Sequence, residues 1–261
     1  METTGKDRGR ALITGASAGI GKATAEVFAE QGYDLVLAAR RLDRLEEMKK
    51  ELEARHGVSV AVLSADLAKL ESAEGLHAEV GRRGLKIDIL VNNAGFGTSG
   101  KFVDIDLDRE TEMLMLNMVT LTKLTKLFAR DMAARKSGHI VNIASTAAFQ
   151  PIPGFAAYAA TKAYVLNFSE ALGAELEGEG VRVTTICPGA TVSEFAKIAG
   201  LEKAGMFSGA PTSRQLGEFV YRSVIAGKSV AIHGWMNALM AKGSKFMPKK
   251  AVMAVASKLT R

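Results

Sequence analysis

The chain has 261 residues, 48% of them hydrophobic and 24% charged, a balance that builds a sizeable core and excludes a disordered polymer. Its net charge of +6 is concentrated at one end: after Glu218 there are eight Lys and Arg and no acidic residue, so the rest stands near −2 and a basic nucleic-acid-reading domain is excluded. A single cysteine, Cys187, permits no intramolecular disulfide, the four histidines lack the spacing of a metal site, and neither a leader-like apolar segment nor a membrane-spanning run occurs, so the expectation is a metal-free cytoplasmic protein.

In chain order, the β-branched run at 10–14 (RALIT) precedes a segment at 20–31 in which Ile20, Ala23, Thr24, Val27 and Phe28 recur at helical spacing. The alternation continues. Strand-like runs at 33–40, 58–63, 87–91, 139–145, 181–187 and 229–233 are separated by helical segments at 42–55, before 135, at 158–176 and at 213–226. Seven strands with intervening helices predict an α/β class, a single doubly wound Rossmann-type domain whose seven-stranded parallel sheet is flanked by helices. No linker interrupts residues 1–234, and residues 235–261 form a basic helical extension.

Between the first strand and the first helix lies TGASAGIG, 14–21, with almost no bulky side chain. In a doubly wound sheet ligands bind beyond the carboxyl ends of the strands. There Gly15 allows a tight turn, Gly19 leaves room for a pyrophosphate, and Gly21 lets the helix pack on the strand. The helix N-terminus offers free N–H groups to phosphate.

Further along, Tyr158 and Lys162 lie four apart and share a helix face. An ammonium about 4 Å from the phenol, at an effective dielectric of about 20, contributes roughly 4 kcal/mol, or about three pKa units, toward phenolate. Tyr158 is then expected to titrate near working pH, where acid–base catalysis is effective.

TGASAGIG, NNAG at 92–95, Asn117, Ser145 and YAATK at 158–162 together resemble the short-chain dehydrogenase/reductase family over roughly 10–232. The resemblance implies that Tyr158 exchanges a proton with the substrate oxygen, Ser145 hydrogen-bonds that oxygen, Lys162 holds the nicotinamide ribose, and Asn117 holds a relay water. It further implies a cofactor site of Thr14, Gly15, Ser17, Ala18, Gly19, Ile20, Gly21, Asp66, Leu67, Asn92, Ala94, Gly95, Pro188, Gly189 and Thr191, with Asp66 beside the adenine or else capping the next helix. Where an NAD enzyme carries an acid, the second strand ends in Ala38 and Ala39 followed by Arg40 and Arg41. Guanidinium matches phosphate, so NADP(H) is predicted, with Arg40 the main contact to the 2′-phosphate, Arg41 the assistant and Asp43 on the next helix. The expected partners are a small-molecule carbonyl or alcohol substrate and sister subunits, as a homodimer or homotetramer joined through helices around 104–135 and 158–176. Met113, Leu114, Leu116, Leu121, Leu124 and Leu127 supply the apolar surface of the first helix.

Phe195, Ile198, Met206 and Phe207 in a loop, with Phe96, Phe149, Ile152 and Phe155, form either an apolar substrate cleft or core packing. The extension resembles that of one basic-tailed branch of the family. After Pro248, Val252, Val255, Ala256 and Leu259 form a stripe, with Trp235 and Met236 ahead of it. Three readings of it stand: docking on its own domain or a sister subunit, contact with an anionic membrane surface, or attraction of an acidic or CoA-linked substrate. The overall reading is an NADP(H)-dependent carbonyl/alcohol oxidoreductase, and the rival is a non-catalytic NADP-binding sensor or membrane-surface scaffold.

Overall fold

Strands apolar on both faces need cover on both, and that requirement shapes the molecule. In the computed structural model, which describes residues 8–200, 209–244 and 247–259, β1 (Arg10–Thr14), β2 (Asp34–Ala39), β3 (Val60–Ser64), β4 (Ile89–Asn92), β5 (Gly138–Ile143), β6 (Val181–Cys187) and β7 (Val230–Ile232) form one sheet in the order β3-β2-β1-β4-β5-β6-β7. Every neighbouring pair is parallel. Ile13, Leu35, Leu37 and Val91 pack under Phe28 of α1 (Gly19–Glu30), Leu45 of α2 (Leu42–His56) and Val220 of α8 (Ser213–Ile225). Leu12, Val36, Leu90 and Ile140 face the other way, onto α3 (Ser72–Arg82), α5 (Leu121–Ala134) and α6 (Ala156–Leu176) through Leu76, Phe128 and Leu172. The sheet and its two helical layers are as the sequence pattern predicts.

Because the chain moves outward from β1 to β3 and then returns to place β4 on the other side of β1, the order reverses between β1 and β4. A crevice opens at their carboxyl ends. Thr14 closes its floor: Oγ1 accepts the N–H groups of Asn93 and Ala94, both at 3.0 Å, and donates to Val91 O at 3.3 Å. Asn93 Nδ2 donates back to Thr14 O at 2.8 Å.

Two features depart from the sequence pattern, and a third settles on one of the readings it left open. The stretch before 135 is α4 (Leu107–Leu114), a π-helical turn over Met115–Thr120, and then α5. Met113, Leu121 and Leu124, expected on an outer surface, are buried in the subunit's own core, Met113 beside Phe96 and Tyr158, Leu121 beside Val165 and Leu124 beside Phe128. Only Leu114, Leu116 and Leu127 of that set stay partly exposed. The extension, in turn, packs on its own domain: α9 (Trp235–Gly243) lies against β7 and the turn Thr146–Phe149, and α10 (Lys249–Leu259) buries Val252 and Ala256. The side chains of Val255 and Leu259 lie outside the described residues.

Gly15 turns with φ +67°, which only glycine adopts without strain. Gly21 is required by space: a Cβ there would stand 2.5 Å from Gly15 O and 2.4 Å from Asn93 Nδ2. Gly21→Ala is therefore expected to separate α1 from β1 and to lower stability by about 1–3 kcal/mol, as overpacking does. Urea unfolding at neutral pH measures this, and an unchanged midpoint would show that the contact has slack.

Candidate active site

One cavity of about 630 Å³ runs along the crevice, from the end of β2 to the extension, within the usual size range of small-molecule sites. At its β1 end the wall is the turn Gly15, Ser17, Ala18, Gly19 and Ile20. Ala18 caps α1 without a side-chain hydrogen bond, and no acid lies in the first turn, so the helix presents its N–H groups and positive end without a competing carboxylate. Arg40 and Arg41 follow β2 into the rim, while Asp43 lies in the first turn of α2. Asp66 and Leu67 beyond β3, and Ala94 and Gly95 beyond β4, continue the wall. Asp66 caps no helix, since α3 begins at Ser72; its carboxylate accepts from Ala68 N within a turn.

Three expected cofactor residues, Thr14, Gly21 and Asn92, do not line the cavity, and Gly21 packs against Gly15 O and Asn93 instead. Thr14 is spent on the β1–β4 junction described above. Asn92 is buried, donating from Nδ2 to Thr125 Oγ1 and Asn142 Oδ1, both at 2.9 Å, while Asn142 donates to Ser169 Oγ at 2.8 Å. Asn92 thereby ties β4 and β5 to α5 and α6, and Asn93 lines the cavity instead.

At the centre stand Ser145, Tyr158 and Lys162, carried by the end of β5 and by α6. The Ser145 hydroxyl donates to Pro188 O at 3.4 Å and accepts from Ala147 N at 3.1 Å. Lys162 Nζ donates to Ile143 O at 2.9 Å. Asn117, turned inward by the π-helical turn, donates to Phe96 O at 2.9 Å and Thr161 Oγ1 at 3.2 Å. A Cβ on Gly95 would lie 2.8 Å from Asn117 Oδ1 and 3.6 Å from Lys162 Nζ, so this glycine leaves the space in which the two approach. Pro188, Gly189 and Thr191, beyond β6, close the far wall.

Electrostatics here differ from the expectation drawn from spacing. Lys162 Nζ is 5.8 Å from the Tyr158 ring centre, and burial pushes the phenol up to about 12, with the Ser145 hydroxyl opposing. The same burial pushes Lys162 down to about 8. Desolvation outweighs attraction because both groups are enclosed, so in the protein alone each moves toward its neutral form.

On the substrate side Phe96, Ile152 and Phe155, with Phe195 and Ile198 of the short helix α7 (Phe195–Ile198), make the cavity apolar. Phe149 packs instead beside Leu121 and Val165, and Met206 and Phe207 lie outside the described residues. Phe155 and Phe195 flank Tyr158 with ring centres 5.6 and 5.5 Å away. Sequence reasoning missed Glu194, whose carboxylate bridges Arg41 (2.9 Å) and Arg44 (2.8 Å) and is held below the usual range first by Arg41. Arg41 also donates to Ser17 Oγ at 3.1 and 3.2 Å. Also missed were Arg109, stacked 3.8 Å over Phe96, and Asn237, Met240, Ala241 and Ala256 of the extension, all in the wall. No local signal marks these; the fold brings them in from distant segments.

With this geometry in view, the family model of the short chain dehydrogenases matches residues 10–203. The chain belongs to the short chain dehydrogenase family. It is 34% identical over 192 residues to very-long-chain 3-oxoacyl-CoA reductase-B of Danio rerio, a match covering 72% of this chain and 61% of that protein. It is 34% identical over 189 residues to an NADP-dependent 3-hydroxy acid dehydrogenase of Schizosaccharomyces pombe, covering 72% and 73%. A short-chain dehydrogenase from Sphingobium yanoikuyae, solved with NADPH, superposes with a TM-score of 0.84 at 33% identity, covering 94% of this chain and 95% of that one. The match thus spans about three fifths of the length of the fish reductase.

The shifted lysine has a measurable consequence. Lys162 at about 8 lies below its ordinary value of about 10.4, so between these values the unfolded chain holds the extra proton and stability rises with pH. Above about pH 10 the raised Tyr158 acts in the opposite sense, because the unfolded chain then releases its proton first. Urea midpoints of the protein alone should therefore rise from pH 8 to 10 relative to Lys162→Met, which carries no titrating group. A constant difference over that range would assign the ammonium an ordinary pKa.

Proposed function

We propose that this dehydrogenase is an NADP(H)-dependent oxidoreductase that interconverts an apolar carbonyl compound and its alcohol, with Tyr158 as general acid and base. The observation that carries the reading is the meeting of Ser145, Tyr158 and Lys162 at the crevice centre, between a glycine turn on one side and an apolar pocket on the other. The donors present fit the cofactor. Uncapped amides of α1 suit a pyrophosphate, and Arg40 and Arg41 suit a 2′-phosphate, with Arg41 the better fixed of the two through Ser17. When bound, NADPH supplies the hydride.

The chain supplies the proton and the electrostatics. Ser145 Oγ and the Tyr158 hydroxyl converge on one oxygen of the substrate, and the phenol delivers its proton as negative charge develops there. Lys162 lies one helical turn from Tyr158, beside Asn117, in position to stabilise the phenolate left behind and return a proton to it. Phe155 and Phe195 hold water away from the phenol. The names of the relatives support 3-oxoacyl thioesters and 3-hydroxy acids as the first compounds to test. Homodimers or homotetramers through the α4–α5 and α6 faces, and a cytoplasmic setting suited to the buried free thiol of Cys187, complete the proposal.

NADPH and NADH oxidation across ketones, aldehydes and 3-oxoacyl esters tests this reading. NADPH should be consumed with an apolar carbonyl, and Tyr158→Phe should lose on the order of 10²-fold or more in kcat; a variant matching the parent would remove the acid role. Arg41→Ala should weaken NADPH binding by about tenfold or more while sparing NADH, as loss of a charge-assisted phosphate contact does. Equal effects on both cofactors would move the 2′-phosphate contact to Arg40.

A further inference from the structure

A helix on a soluble surface buries its apolar side and shows its polar side. α9 is fixed to the domain through Asn237, whose side chain lies against Gly189 and donates to His233 O at 2.8 Å, and through buried Ala241. Its other face is apolar and exposed: Trp235 is 75%, Met236 50%, Leu239 60% and Met240 44% accessible, and Met247 follows at 49%. Exposed Lys242 on the same helix and exposed Lys249 and Lys250 at the start of α10 follow this patch in the chain, and no acidic residue occurs anywhere after Glu218. Clustered exposed apolar side chains mark a contact surface.

Charge selects the occupant. A second copy joined through this face about a two-fold axis would bring its own lysines against these. An anionic phospholipid surface neutralises them and accepts the Trp, Met and Leu side chains among its acyl chains. We propose that α9 is a monotopic membrane-surface element, lying in the plane of an anionic phospholipid leaflet with Trp235, Met236, Leu239 and Met240 immersed and the lysines at the headgroups. Met240 is both exposed and part of the cavity wall, and Ala241 and Ala256 beside it line the cavity too. The cavity rim therefore sits at the lipid interface, where an apolar carbonyl dissolved in the bilayer reaches it without crossing water. The docking stands on the surface alone; the delivery of substrate rests on the reductase reading.

Trp235 is the only tryptophan of the chain, so its fluorescence reports this face directly. The full-length protein is titrated with phosphatidylcholine vesicles with and without phosphatidylglycerol, following emission and co-sedimentation. The expected result is a blue shift and co-sedimentation with the anionic vesicles, weakened by salt. Met236→Glu/Leu239→Glu, and separately Lys249→Glu/Lys250→Glu, should each lose about tenfold or more in vesicle affinity while NADPH turnover with a water-soluble carbonyl stays at the parent rate. The second pair leaves the apolar face intact, so it still decides if the first fails to fold. Absence of a shift on anionic vesicles overturns the proposal. So does emission already blue-shifted in buffer in a dimer that the first pair of substitutions converts to monomer, which would make the face a subunit interface. Vesicle binding without turnover of any carbonyl would leave the docking in place and sink the reductase reading instead.

Discussion

The junction between β1 and β4 governs the rest of the structure. Parallel strands that switch direction of assembly at one point leave their carboxyl ends diverging, and the backbone groups beyond them need partners. Thr14 Oγ1 and Asn93 Nδ2 provide four close hydrogen bonds across that gap. Once it is fixed, the glycine turn after β1 and the Ala94–Gly95 turn after β4 face each other across one crevice, with Gly15 and Gly21 packed against Asn93 at distances no side chain tolerates. The residues that make the crevice floor are therefore held by each other rather than offered to a ligand. Thr14 and Asn92 illustrate the difference: each belongs to a motif associated with cofactor binding, and each acts inside the scaffold.

A second consequence concerns the acid–base pair. Enclosure raises the Tyr158 phenol and lowers the Lys162 ammonium, so each is displaced from its charged form, the lysine at about 8 still staying mostly protonated at neutral pH. A spacing argument counts only the attraction between the two and so misjudges the direction of the tyrosine shift. Burial is a property of the assembled layers, Phe155 and Phe195 above all, and no four-residue interval contains it.

The same distinction marks how much of the molecule was legible in its sequence. Seven strands, their alternation with helices and the central Ser145, Tyr158 and Lys162 were readable, because period-2 and period-3.6 patterns and fixed spacings are local. The π-helical turn that carries Asn117 was not, since it inserts one residue into a helix without a composition signal, nor was the burial of Met113, Leu121 and Leu124 in the core. Glu194 was missed for a related reason. Its partners Arg41 and Arg44 are about 150 residues away, and only the assembled fold brings the loop after β6 across the crevice to the end of β2.

That loop joins the two halves of the site. Glu194 holds Arg41, the guanidinium nearest the glycine turn, and the next residue, Phe195, packs on Tyr158. On the proposed reading, a phosphate that takes Arg41 meets a carboxylate already there, and the two anions compete for its N–H donors. Arg44 gives Glu194 a second partner to retreat to, so the exchange need not leave a charge unpaired. Because one peptide bond separates Glu194 from Phe195, any retreat at the arginine end is felt at the ring lying against the phenol. On the proposed reading, the contact to the cofactor's 2′-phosphate and the enclosure of the reacting oxygen therefore depend on adjacent residues of a single loop, Glu194 and Phe195.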